Sequence, residues 1–111
     1  RKYKPYLGDN IYFDPDILPT LLNRPIDEIR IYSGIVSRGV VKKEYRQYGI
    51  FNSILEKIDE EGRGLGLKYM FGGVYETNEV SKKIMSNHGY KILPKREIRP
   101  GAFYHIIYKM L

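Results

Sequence analysis

A glycine-containing turn at residues 46–51, with the sequence Arg-Gln-Tyr-Gly-Ile-Phe, is the segment of this chain best suited to bind a ligand. It lies between a β-branched run that ends at Val40 and Val41 and a helical pattern of apolar residues that begins at Ile50. The first turn of a helix presents unpaired backbone N–H groups and the positive end of the helix dipole. A strand that runs into a helix start is therefore a ready anion site, and a phosphate-bearing ligand is the first hypothesis.

The positive charge of the chain is concentrated towards its end. The formal net charge is +6, but residues 1–79 contain 12 basic and 12 acidic side chains, which cancel. After residue 79, seven basic side chains face a single acidic one, Glu97, and this difference accounts for the whole excess. Such a surplus favours polyanions, either the phosphates of a nucleotide cofactor or a nucleic acid. A solvated basic surface without a ligand is the alternative interpretation.

Length and composition exclude several classes of protein. A chain of 111 residues has room for one compact domain, and no apolar run approaches the length needed to cross a bilayer. There is no signal-peptide pattern and no cysteine, so we expect a cytoplasmic protein without disulfides or thiolate metal sites. The two histidines, His88 and His105, lack carboxylates at metal-ligand spacing, and no Gly-x-Ser-x-Gly elbow is present. Metal catalysis and serine or cysteine nucleophiles are therefore not expected.

The first half of the chain predicts an arm, a strand and a helix. Residues 1–28 contain four prolines, and only residues 17–22 have the pattern of a short helix. Residues 29–41 are rich in β-branched side chains and contain two glycines, which predicts a strand with a bend. Apolar residues then recur at helical spacing over residues 50–61, and Gly62 ends the pattern.

The second half predicts a strand, a helix and two closing strands. Residues 67–75 form the first strand, and Thr77 or Asn78 caps a helix that buries Val80, Ile84 and Met85. Residues 90–93 and 102–111 are strands, separated by a basic loop at residues 94–100. A strand–helix–strand crossover implies a parallel pair, and the closing strands pair antiparallel. The expected fold is α/β with a mixed sheet.

Two segments also resemble a known family. Residues 41–50 resemble the acetyl-CoA signature of the Gcn5-related N-acetyltransferases (GNAT), in which a strand valine precedes Arg/Gln-x-x-Gly-x-Gly/Ala at the start of the central helix. Residues 78–90 are similar to the second signature of that family, Asn-x-x-Ala-x-x-Leu-Tyr-x-x-x-Gly-Phe. The resemblance covers residues 29–111, and it implies a GNAT-like acyl-CoA-binding domain that follows a proline-rich N-terminal arm at residues 1–28. The N-terminal part of the usual fold would then be missing or replaced.

The resemblance implies that acetyl-CoA is the co-substrate. Backbone amides after Arg46 would hold its pyrophosphate, the strand before them would pair with the pantetheine arm, and the cap of the next helix would also reach pantetheine. Lys82 and its neighbour Lys83 would meet the nucleotide phosphates. The implied cofactor-binding residues are Val40, Val41, Arg46, Gln47, Tyr48, Gly49, Ile50, Phe51, Asn78 and Lys82.

The sequence departs from the family pattern at positions that matter for catalysis. Phe51 stands where the phosphate turn normally has glycine or alanine, and Met85 stands where many relatives carry a tyrosine that protonates the leaving thiolate. A thioether cannot donate a proton. No carboxylate lies in the bent strand to act as a base, so a water chain would have to remove the amine proton. Tyr75 is the nearest candidate acid, and a packing role is its alternative.

Three functions follow as hypotheses. The first is an acetyl-CoA-dependent N-acyltransferase that acts on a primary amine of a small molecule, a protein or a nucleic acid. The second is a CoA-binding or interaction domain without turnover. The third is a basic nucleic-acid-binding module, since the chain has 11 tyrosines that could stack on bases. We also expect a second copy or an upstream domain to cover the sheet edge left by the short N-terminal part.

Overall fold

The computed structural model describes residues 12–36 and 50–111, with the side chains of residues 50–52 excepted. Four helices and five strands lie within these ranges. The helices are α1 (Leu18–Leu22), α2 (Ile26–Ile31), α3 (Ile50–Gly64) and α4 (Glu79–Asn87). The strands are β1 (Ser33–Val36), β2 (Tyr69–Tyr75), β3 (Lys91–Ile92), β4 (Arg96–Arg99) and β5 (Ala102–Met110). No helix of the described ranges combines the length and the apolar character needed to cross a membrane.

The strands form one mixed sheet in the order β1–β2–β5–β3, and β4 pairs with the first residues of β5, whereas β3 pairs with later ones. The β1–β2 pair is parallel, and Ser33 lies opposite Tyr69 and Val36 opposite Gly72. All pairs that involve β5 are antiparallel. The predicted mixed sheet, with a parallel pair around the central helix and antiparallel closing strands, is confirmed.

The two faces of the sheet have separate cores because successive strand residues point to opposite faces. On one face, α1 and α2 contribute Leu18, Leu22 and Ile29 to a cluster around Phe71. On the other face, α3 and α4 pack over Met70, Val74 and Ile107; their most buried members are Leu55 and Met85. The segment from residue 12 to residue 31 thus packs on one face of the sheet.

The predicted strand at residues 29–41 was wrong at its start, because α2 extends to Ile31 and β1 begins only at Ser33. Pro25 is the N-cap of this helix, and Asp27 and Glu28 lie in its first turn, where carboxylates favour the helix dipole. Ile26 and Ile29 are three residues apart, so both reach the same core cluster. These helix signals outweigh the β-branched composition.

Two other predictions were wrong. Residues 94–100 do not form a simple loop, because β4 pairs with β5 and Gly101, at a φ of +80°, makes the turn between them. Val80 does not face inward, since it is largely exposed, whereas Met85 is buried as predicted. The predicted cap of α4 is confirmed at Asn78, whose side chain accepts a hydrogen bond from Ser81 N–H at 3.0 Å.

Candidate active site

The carboxyl ends of β1 and β2 and the start of α3 lie at one edge of the sheet. Since β1 and β2 are parallel, the connecting helix must begin at their carboxyl ends and run back to their amino ends. α3 begins at Ile50, as predicted, and has no acidic residue in its first turn. The N–H groups of its first turn, which have no partner within the helix, and its positive dipole end therefore point toward this edge.

Most of the predicted phosphate turn falls outside the described residues. This applies to Val40, Val41, Arg46, Gln47, Tyr48 and Gly49. Ile50 and Phe51 form the start of α3, and their side chains are likewise outside the described part. The assignment of these residues to a cofactor stays a prediction.

Gly72 and Gly73 leave the centre of β2 without side chains. A Cβ on Gly72 would lie 3.4 Å from the carbonyl oxygen of Val36, which is an ordinary contact. A Cβ on Gly73 would lie 2.2 Å from Cε2 and 2.6 Å from the hydroxyl oxygen of Tyr104. The ring of Tyr104 thus lies directly over the main chain of β2, in space that any side chain at Gly73 would occupy.

Tyr75, the candidate acid, ends β2 on the same face as Tyr104. The two residues are opposite each other in the β2–β5 register, and their rings meet edge to face with centroids 5.1 Å apart. Tyr75 is nevertheless exposed. It therefore combines the packing contact with a phenol that solvent or a ligand can reach.

Asn78 and Lys82 lie on the first turns of α4, directly after this edge. Asn78 Oδ1 is occupied by the cap bond to Ser81, and the Asn78 backbone N–H donates to the Tyr75 carbonyl at 3.0 Å. Lys82 Nζ lies 3.0 Å from a carboxylate oxygen of Glu79. The structure thus brings Tyr75, Asn78 and Lys82 to one end of the sheet, and the cap role of Asn78 is established.

Sequence reasoning missed a polar group formed by Glu76, Lys95 and His105 beside the same edge. Lys95 Nζ donates to Glu76 Oε2 at 2.6 Å, and this hydrogen bond holds the pKa of Glu76 below its ordinary value of 4.5. His105 Nδ1 lies 2.7 Å from the Leu93 carbonyl oxygen. A carbonyl can only accept, so Nδ1 carries a proton and Nε2 is the ring nitrogen that remains for another partner. The sequence feature that could have indicated this group is the position of Glu76, which directly follows the carboxyl end of β2.

The basic surface is partly neutralised by ion pairs that only the fold creates. Lys95 pairs with Glu76, and Arg96 Nη1 lies 3.4 Å from a carboxylate oxygen of Asp14, which is 82 residues earlier in the sequence. Within residues 12–36 and 50–111, no three metal-ligating side chains come together. The site is therefore one of hydrogen-bond donors, tyrosines and paired charges.

Comparison of the sequence with protein-family models and with curated proteins gives no match. Comparison of the structure gives several. An acetyltransferase assigned to the GNAT family, from Desulfovibrio desulfuricans, has a TM-score of 0.65 at 12% identity over 71% of this chain and 53% of its own. Ard1 from Thermoplasma volcanium has a TM-score of 0.65 at 10% identity over 71% of this chain and 55% of its own.

An acetyltransferase from Bacillus cereus has a TM-score of 0.63 at 14% identity, over 100% of this chain and 97% of its own. The chain thus spans about half the length of the first two structures and nearly all of the third. The parallel pair around α3 and the antiparallel closing strands agree with this likeness. The chain has the fold of the Gcn5-related N-acetyltransferases.

Proposed function

We propose that this chain is an N-acetyltransferase that transfers an acetyl group from acetyl-CoA to a primary amine. The observation that carries the proposal is the β1–α3–β2 unit, in which a helix start faces the carboxyl ends of a parallel pair. The signature at residues 41–50 leads into that helix start. Backbone N–H groups there suit a diphosphate, because they supply several donors and a favourable dipole at once.

The proposed cofactor contacts are those implied by the resemblance of residues 41–50 and 78–90 to the two family signatures. The amides of Gln47 to Phe51 hold the pyrophosphate, Val40 and Val41 pair with pantetheine, and Lys82 attracts the nucleotide phosphates. Asn78 Oδ1 accepts within its own helix, so the group left for pantetheine is the Nδ2 amide, a donor. Asn78 would then serve the helix and the ligand with different atoms.

The proposed reaction is direct attack of the amine nitrogen on the thioester carbon. The new C–N bond forms, the C–S bond breaks, the amine loses one proton and the thiolate gains one. Tyr75 is the proposed proton donor to the thiolate, since its exposed phenol ends β2. His105 Nε2 is the proposed acceptor of the amine proton through water. Holding the two reactants together would supply much of the acceleration.

Calorimetry and a thiol-release assay test this proposal together. We expect acetyl-CoA to bind and an amine panel to release free CoA. Gly49→Val places a side chain in the phosphate turn and should weaken acetyl-CoA binding by about tenfold or more. Lys57→Ala, at an exposed position of α3, is the control and should leave affinity within about twofold. Wild-type protein that binds no acyl-CoA would refute the proposal.

A CoA-binding domain without turnover is the second candidate, and Met85 favours it. Met85 is buried in the core between the sheet and α4. In the family signature that residues 78–90 resemble, this position carries the tyrosine that protonates the leaving thiolate. Binding of acetyl-CoA without thiol release from any amine would support this candidate. Loss of thiol release in Tyr75→Phe, with unchanged acetyl-CoA affinity, would instead support the enzyme.

A further inference from the structure

The end of the sheet opposite the candidate active site contains an open recess of about 440 Å³, which we call the basal groove. It lies where α3 turns into β2 and where β5 ends. Its lining includes Arg24, Arg63, Leu67, Lys68, Tyr69 and Met110. β2 rises about 3.3 Å per residue, so the groove is about 20 Å from the carboxyl end of that strand.

The charged side chains that line the basal groove are all basic. Three of its lining residues are basic, and none is Asp or Glu. Arg24 is partly engaged, since its Nε lies 3.3 Å from Glu28 and its Nη1 donates to the Asn23 carbonyl. Lys68 Nζ stands 4.7 Å from the centre of the Tyr32 ring, and neither Lys68 nor Arg63 pairs with a carboxylate among the described residues. Two cations are thus available to an acidic ligand.

The same end of the molecule carries the most exposed large apolar side chains of the described ranges. Leu65, Ile31 and Met110 are 78%, 71% and 60% exposed. Met110 lines the groove, Leu65 directly precedes the lining residue Gly66, and Ile31 directly precedes the Tyr32 that Lys68 covers. Exposed apolar groups that cluster with unpaired charge are typical of an interaction surface.

We propose that the basal groove binds an acidic peptide segment that carries an apolar side chain. The unpaired cations match carboxylates, and the recess between Leu67, Tyr69 and Met110 has room for an apolar anchor. A small ligand within the recess would leave Leu65 and Ile31 uncovered, whereas an extended peptide can cross them. A bilayer surface would meet these two residues but would leave the recess empty.

Fluorescence polarisation with the full chain tests the proposal. The probe is a fluorescein-labelled peptide of alternating Glu and Leu with one central Phe, and its matched control has Gln in place of every Glu. We expect the acidic peptide to bind about tenfold more tightly than the control peptide. High salt should remove most of that difference, because exposed charges are screened.

Two double variants locate the binding. Arg63→Gln with Lys68→Gln should weaken acidic-peptide binding by about tenfold. Lys83→Gln with Arg99→Gln removes the same charge at exposed positions outside the groove and should change binding by less than about twofold. Far-UV circular dichroism checks that both variants fold. In the wild type, the methyl resonance of Met110 should shift with peptide and not with the Gln control.

Three outcomes would overturn the proposal. The first is equal binding of the two peptides, and the second is equal weakening by the two double variants. The third is binding to vesicles of phosphatidylserine and phosphatidylcholine without binding to the acidic peptide, which would make the basal groove a lipid-facing surface.

Discussion

Removal of one partner from the buried ion pair between Asp59 on α3 and Lys109 on β5 should cost more stability than removal of one partner from any exposed ion pair of the described residues. Lys109 Nζ lies 2.6 Å from Asp59 Oδ2, and the two side chains are only 13% and 4% exposed. Lys109 also donates to the His88 carbonyl, and His88 Nε2 lies 3.2 Å from the same Asp59 oxygen. Asp59 Oδ1 has no hydrogen-bond partner among the described residues.

Lys109→Met should therefore cost about 3–5 kcal/mol, because it leaves a buried carboxylate with one partner on one oxygen. A domain of this size has a total unfolding free energy of about 5–15 kcal/mol, so this loss is a large share of it. The midpoint of thermal unfolding should fall by roughly 4 °C for each kcal/mol. Asp59→Asn with Lys109→Met removes both charges and should recover about 2 kcal/mol or more of the single-variant losses.

Urea unfolding of the two single variants and the double variant measures the coupling free energy. The control is the Glu79–Lys82 pair, which has a similar separation of 3.0 Å, but its glutamate side chain is 80% exposed. Glu79→Gln with Lys82→Met should show a coupling of only about 0.2–1 kcal/mol. A coupling for the Asp59–Lys109 pair no larger than that of the control would refute the reasoning.

Three further predictions concern single side chains. Gly73→Ala should destabilise by about 1–3 kcal/mol, because its Cβ would displace the Tyr104 ring, whereas Gly72→Ala, with contacts of 3.4 Å or more, should cost less in the same urea titration. The pKa of Glu76 is lowered in the fold, so the contribution of ionised Glu76 to folding stability is present above pH 4.5 and is lost as the pH falls. The difference in unfolding midpoint between wild type and Glu76→Gln should therefore shrink in acid. Burial raises the pKa of Tyr90 above its ordinary value of 10.0, so the free energy of unfolding should fall at alkaline pH. Tyr90→Phe should reduce that fall. The substitution should cost little stability near neutral pH, because the Tyr90 hydroxyl has no partner among the described residues. A Tyr90→Phe variant with the wild-type alkaline slope would contradict the assignment.

Local sequence patterns were sufficient to predict the mixed sheet and the order of most of its elements. The 3.6-residue period of α3 and the cap at Asn78 each depend on neighbours within a few residues. The start of α3 at Ile50 was predicted in the same way. These features are local, so propensity and spacing determine them.

The parts that prediction missed depend on contacts between distant residues. β4 forms because β5 offers it free backbone groups, and its own exposed, charged sequence gives no strand pattern. The polar group around Glu76 requires Lys95 to approach from 19 residues away. The basal groove likewise combines the loop before α2, the end of α3 and the end of β5.

By itself, the sequence determined that this chain folds as an α/β domain with a helix start aimed at the carboxyl edge of a parallel pair. Only the tertiary structure decided which charges are buried, paired or left for a partner. The Asp59–Lys109 pair spans 50 residues and the Arg96–Asp14 pair spans 82. No local rule specifies such pairs, because their energy depends on how packing removes both groups from water.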